Sequence, residues 1–155
     1  MQELAHNDAV RIGERDPILV LRYVGTPTLA TAGLLEEVLV KRFDSDPKKQ
    51  WAFLLVIDAS KPVPEKSVQE RLAALMAGHA SQVAALADVV VGTGFQAATV
   101  RFALVAMSML SKPGYPIKVF RSTPEALEWI AATAPQLLRA ADLSATRADV
   151  EQFQR

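Results

Sequence analysis

The stretch WAFLLVID, residues 51 to 58, constrains the fold of this chain more than any other. Its apolar side chains run without alternation and end on a carboxylate. A strand with one wet face alternates apolar and polar residues, whereas an unbroken run belongs to a strand covered on both faces, usually within a parallel sheet. Such a strand requires helices, and the flanking sequence supplies them.

Upstream, AVRIGERDPILVLRYVG predicts two strands joined by a tight turn at Arg15, Asp16 and Pro17, because proline punctuates rather than pairs. In the second of these strands Leu19, Leu21 and Tyr23 point one way, Ile18, Val20 and Val24 the other. Residues 26 to 43 read as a helix with Thr26 or Thr28 as cap, Pro27 in the first turn and Leu35, Leu39 and Phe43 recurring every fourth position. Downstream, residues 62 to 83 read as a helix with Val68, Leu72, Leu75, Met76 and Val83 along one stripe, followed by a short buried strand, ADVVVG. A helix over 95 to 110, the strand IKVF and a final helix STPEALEWIAATA complete the series, the last opening with Ser122 and Glu125 at capping-box spacing. The predicted order is ββαβαβαβα. It specifies a single α/β domain, a mixed and mostly parallel sheet of about five strands, over residues 8 to 134. Residues 135 to 155 form a tail with a short helix around RADVEQFQ.

The segment 95 to 110 is apolar on two sides. At 3.6 residues per turn Phe95, Ala98, Phe102, Val105, Ala106 and Met109 share one face, assigned to the core. Val100, Leu104 and Met107, flanked by Gln96, Ala97, Arg101 and Ser108, share the other. A helix lying on one sheet needs only one apolar stripe. Covering the second falls to a neighbouring element of the chain, to a second copy in a homodimer, or to a different protein or apolar ligand. The residues assigned to that surface are Val100, Arg101, Leu104 and Met107.

Lysine plus arginine balance aspartate plus glutamate at 17 each, so no global field favours nucleic acid. The absence of cysteine excludes disulfides and thiol chemistry. The opening MQELAHNDAV has no basic region followed by an apolar run, and a cytoplasmic location is expected. The segment 95 to 110 carries Arg101 and is too short for the roughly 20 apolar residues of a membrane span.

Signs of chemistry are sparse. GTG at 92 to 94 lies between strand and helix, where backbone N–H groups can hold an anion, yet the dinucleotide pattern lacks its third glycine; turn and cap suffice to explain it. Asp58 and Ser60 follow a central strand, where α/β sheets place their sites, or simply end it in a turn. His6 falls in a frayed terminus and His79 at the border of a helix stripe, with no ligand spacing for a metal. Trp51 and Trp129 take core positions, Tyr115 is a rim candidate, and Glu36 and Glu37 sit on a solvated face. No catalytic, cofactor or metal site is predicted.

The element order, the strand ending LLVIDAS and the closing IKVFRSTPEALEWI resemble the SpoIIAA-like superfamily, which holds STAS domains and related STAS/SEC14-type small proteins. The resemblance spans roughly residues 8 to 134. In STAS anti-anti-sigma proteins the corresponding strand leads into an aspartate–serine–(serine or threonine)–glycine motif whose hydroxyl is phosphorylated. Here the stretch is DASKPVPEKS: Asp58 matches the aspartate and Ser60 the hydroxyl, while the glycine is missing and prolines intrude. The resemblance implies a non-enzymatic regulatory module that binds a protein or an apolar small molecule. Three functions stay open: self-association through the helix 95 to 110, an apolar, lipid-like ligand between that helix and the sheet, and a phospho-switched contact through Ser60.

Overall fold

The computed structural model describes residues 1–155, apart from the side chains of residues 110 and 111. Six strands form one sheet in sequence order: β1 (Gln2–His6), β2 (Val10–Arg15), β3 (Ile18–Tyr23), β4 (Trp51–Asp58), β5 (Val83–Val91) and β6 (Ile117–Phe120). The first three pair antiparallel, and β3 through β6 run parallel. The parallel strands are linked by α1 (Leu29–Ser45), α2 (Lys66–Gly78) and α3 (Gly94–Ser111), and α4 (Thr123–Thr133) and α5 (Leu143–Phe153) follow β6. Right-handed crossovers between adjacent strands put all their helices on one face. That is the arrangement here, with α4 and α5 on the reverse face.

Strand parity divides the core as the sequence predicts. Leu19 and Leu21 of β3, Trp51 and Phe53 of β4 and Leu86 of β5 meet Leu35, Leu39 and Phe43 of α1, with Leu72, Leu75 and Met76 of α2 alongside. On the reverse face Ile18, Val20, Leu54 and Ala87 meet Ala126, Leu127 and Ile130 of α4 and Val150 and Phe153 of α5. Each such side chain contributes about 1.5–3 kcal/mol when fully buried. The helix ends are satisfied locally. Thr28 Oγ1 accepts from Thr31 N–H at 3.3 Å and Ser122 Oγ from Glu125 N–H at 3.5 Å, while Gln82 Nε2 donates to the carbonyls of Phe43 in the last turn of α1 and of Asp46 just past it, at 3.0 and 3.2 Å.

Two local expectations are corrected. The segment around His6 is an edge strand, not a frayed end: Gln2 stands opposite Glu14 and His6 opposite Arg11, and Glu3 accepts from Arg11 Nη2 at 2.7 Å. Its polar composition, QELAH, hides it from hydrophobic patterning, yet suits an edge. Val83 begins β5 instead of ending α2, so this strand is nine residues long, not a short one. The tail is anchored: Val150 is fully buried, Arg11 lies over the Phe153 ring at 4.6 Å, and Arg15 meets Asp149 at 2.6 Å.

Candidate functional site

α3 carries two apolar stripes, as predicted, but their roles are exchanged. Ala97 is buried, and Val100 and Leu104 pack toward Ala59, Val90 and Val119 on the sheet. Arg101 reaches inward as well, its Nη1 donating to the Val90 carbonyl at 3.3 Å. Phe95, Phe102 and Met109, expected in the core, are 89%, 76% and 73% exposed, with Val105 and Ala98 also outward and Ala106 half-buried. Met107 lines the cavity beneath the helix yet is 47% exposed. The reason is steric. The strand-to-helix turn uses Gly92 at φ 125° and Gly94 at φ 79°, a region open chiefly to glycine. A Cβ at Gly92 would already stand 3.4 Å from that of Ala59 and 3.7 Å from that of Ala97. The start of α3 therefore packs on the sheet through the small side chain of Ala97, in ordinary van der Waals contact.

Farther along, α3 roofs a cavity of about 190 Å³. Its floor is set by strand parity: Tyr23 pairs with Ile57, and Leu55 with Asp88, so all four share the face that α3 covers. Val100, Leu104 and Met107 form the roof, and Val63 and Pro64 of the loop before α2 form a side wall. The lining is mostly apolar, with Asp58, Lys61 and Gln69 among it and Asp88 at its base.

Asp88 is 4% exposed and makes no side-chain hydrogen bond among the described residues. Burial without a partner disfavours its charged form and pushes its carboxyl up to about 7. Two hydroxyls feel it. Burial, then the Asp88 charge, raises the Tyr23 phenol above its ordinary range, and the same two causes raise Tyr115. Tyr115, the predicted rim residue, is half-buried against the cluster of Leu86, Phe53 and Phe43 and is not among the residues that line the cavity. Asp88 was not singled out in the sequence, though a signal existed: it is the one charge inside VAALADVVV, an otherwise apolar central strand.

Asp58 stands at the cavity mouth with Lys61. Its Oδ1 accepts the Ser60 N–H at 2.9 Å, and Lys61 N–H closes the turn onto the Asp58 carbonyl at 3.1 Å. The hydrogen bonds from Ser60, first its backbone N–H, hold the Asp58 carboxyl below its usual range, helped by Lys61 and Arg22. Ser60 is exposed. His79 stacks on Phe43 with ring centroids 4.4 Å apart and donates from Nδ1 to the Leu75 carbonyl at 2.9 Å. Among the described residues no three histidine, aspartate or glutamate side chains gather as metal ligands would, and no helix is long and apolar enough to cross a membrane.

No family model matches the chain, and no curated protein matches it. Among solved structures it is similar to an uncharacterized protein of the DUF3478 family with a SpoIIAA-like fold from Shewanella loihica PV-4. The two share 15% sequence identity and superpose with a TM-score of 0.59 over 78% of this chain and 91% of that one. The fold is SpoIIAA-like, as the resemblance implied, and at this identity the likeness concerns architecture alone.

Proposed function

We propose that this chain is a non-enzymatic interaction module that associates with a second copy of itself through the outer stripe of α3. The observation that carries the reading is the exposure of Phe95, Phe102 and Met109, each roughly three-quarters or more open to solvent on a helix whose opposite side is already packed. Covering three such side chains is worth several kcal/mol at about 1.5–3 kcal/mol each. A twofold contact places a stripe against its own copy, and zero formal charge removes any net repulsion between copies. The test is light scattering after size exclusion. Wild type is expected at twice the 16.8 kDa chain mass and Phe102→Glu at the chain mass with unchanged circular dichroism. A wild type that stays monomeric at the highest attainable concentration overturns the reading.

A second reading rests on a separate observation, the cavity beneath the same helix. A space of about 190 Å³ with apolar walls and a mouth at Asp58 and Lys61 is suited to an apolar small molecule. Cavities of about 150 Å³ with apolar linings accept a molecule the size of benzene. The two readings are compatible, since one uses the outside of α3 and the other its inside.

A further inference from the structure

Asp88 sits where an aspartate costs stability. It lies mid-strand in β5, between Leu55 of β4 and Val119 of β6 in register, under the roof of α3. A carboxyl kept for structural reasons would cap a helix, brace a turn or pair with a cation. Asp88 does none of these among the described residues, and the 4% of it that stays exposed opens on the cavity it lines. What it does face is the cavity, of which it is the only ionisable group at the base apart from the Tyr23 phenol.

We infer that this cavity takes an apolar molecule ending in a basic nitrogen, whose ammonium group is held by the Asp88 carboxylate. The inference rests on the cavity reading above and names its ligand class. Charge complementarity decides the choice. The base of the site offers an acceptor of negative charge and no cation, so a fatty acid, phosphate or other anion has nothing to meet there. Lys61 stands at the mouth, and the Arg101 guanidinium is turned to the Val90 carbonyl. A neutral ligand would leave the carboxyl as costly as before, whereas an ammonium gives it the partner that the protein withholds. The walls fit the remainder: Leu55, Ile57, Val100 and Leu104 contact a short alkyl chain or ring and offer it no hydrogen bond.

The groups that face Asp88 are Tyr23 from β3 and Tyr115 from the loop after α3; Asp58 and Lys61 lie farther out at the mouth. Neither tyrosine titrates below pH 8, so between pH 6 and 8 the proton that matters is the one on Asp88. Its carboxylate form prevails above pH 7 and is lost below it.

The experiment titrates the full chain with hexylamine and with hexan-1-ol, isosteres that differ in the terminal group, and follows the backbone amide shifts of residues 55, 88, 100 and 104. Hexylamine is expected to bind at least tenfold more tightly than hexan-1-ol at pH 8. Its affinity should fall about tenfold between pH 8 and pH 6 as Asp88 takes up a proton, while that of the alcohol stays level. Asp88→Asn should bind both compounds alike. The pH profile of wild type keeps the test decisive even where the variant folds poorly. Equal binding of amine and alcohol, or an amine preference that persists in Asp88→Asn or does not vary with pH, overturns the ligand class and leaves the cavity reading intact. No shift with either compound overturns both.

Discussion

The unpartnered carboxyl has a consequence for folding that needs no ligand. Burial pushes the Asp88 carboxyl from 3.8, its ordinary value in an unfolded chain, up to about 7 in the folded protein. Between those limits the folded state binds the extra proton, so stability falls as pH rises through this range. At 1.36 kcal/mol per unit, the interval of about three units puts the full penalty near 4 kcal/mol above pH 7. Between pH 5 and pH 8 the share that develops is about 2 to 3 kcal/mol. Asp88→Asn keeps the shape and removes the titration. The effect of the substitution on unfolding free energy should therefore shift in favour of the variant by that amount between the two pH values, whatever its size at pH 5. Urea denaturation of both proteins at pH 5 and pH 8 measures it, with equal m-values showing that the same surface is exposed. Every other titrating group is shared by the two proteins and cancels in the difference. A substitution effect that is the same at pH 5 and pH 8 would refute the claim that Asp88 is buried without a partner.

Two further substitutions probe how the N- and C-terminal segments are tied to the sheet. A Cβ on Gly25 would stand 2.7 Å from the backbone carbonyl oxygen of Asp8, which cannot step aside as a side chain would. Gly25→Ala should therefore lower stability by about 1–3 kcal/mol, read as a fall in thermal midpoint, and an unchanged midpoint would show that the 8–25 contact is loose. Phe153→Ala removes the ring that packs beside Gly13 and under Arg11, and should cost about 3–5 kcal/mol, measured by urea denaturation; a cost below 1 kcal/mol would mean that α5 contributes little to the reverse-face core.

Much of the architecture was legible because hydrophobic period and strand parity are local. WAFLLVID, the 35–39–43 spacing and the Ser122 cap each report on their own neighbourhood, and each lies where its pattern places it. β1 and α5 were harder for one shared reason. An edge strand and an amphipathic end helix need only a few apolar contacts, and QELAH and LSATRADVEQF show little hydrophobic contrast. Their placement comes from partners distant in sequence, as Arg11 illustrates by bonding Glu3 on one side and the Phe153 carbonyl on the other, at 3.0 Å.

The site was legible only in half, and α3 shows why. Its sequence reveals that two stripes exist, because composition around a wheel is intrinsic to the helix. Which stripe meets the sheet depends on the phase at which the chain leaves β5, and that is set by the Gly92–Gly94 backbone and the Ala59–Ala97 approach. Size then misleads. Bulky side chains usually bury the most area, which points Phe95, Phe102 and Met109 inward, yet the face that meets the sheet carries Ala97, Val100 and Leu104. The same geometry creates both functional features. With Ala97, Val100 and Leu104 turned to the sheet, Phe95, Phe102 and Met109 point outward, and Val100, Leu104 and Met107 roof the cavity over Asp88. A single turn thus links the exposed stripe to the enclosed carboxyl, and a change in the phase of α3 would abolish both together.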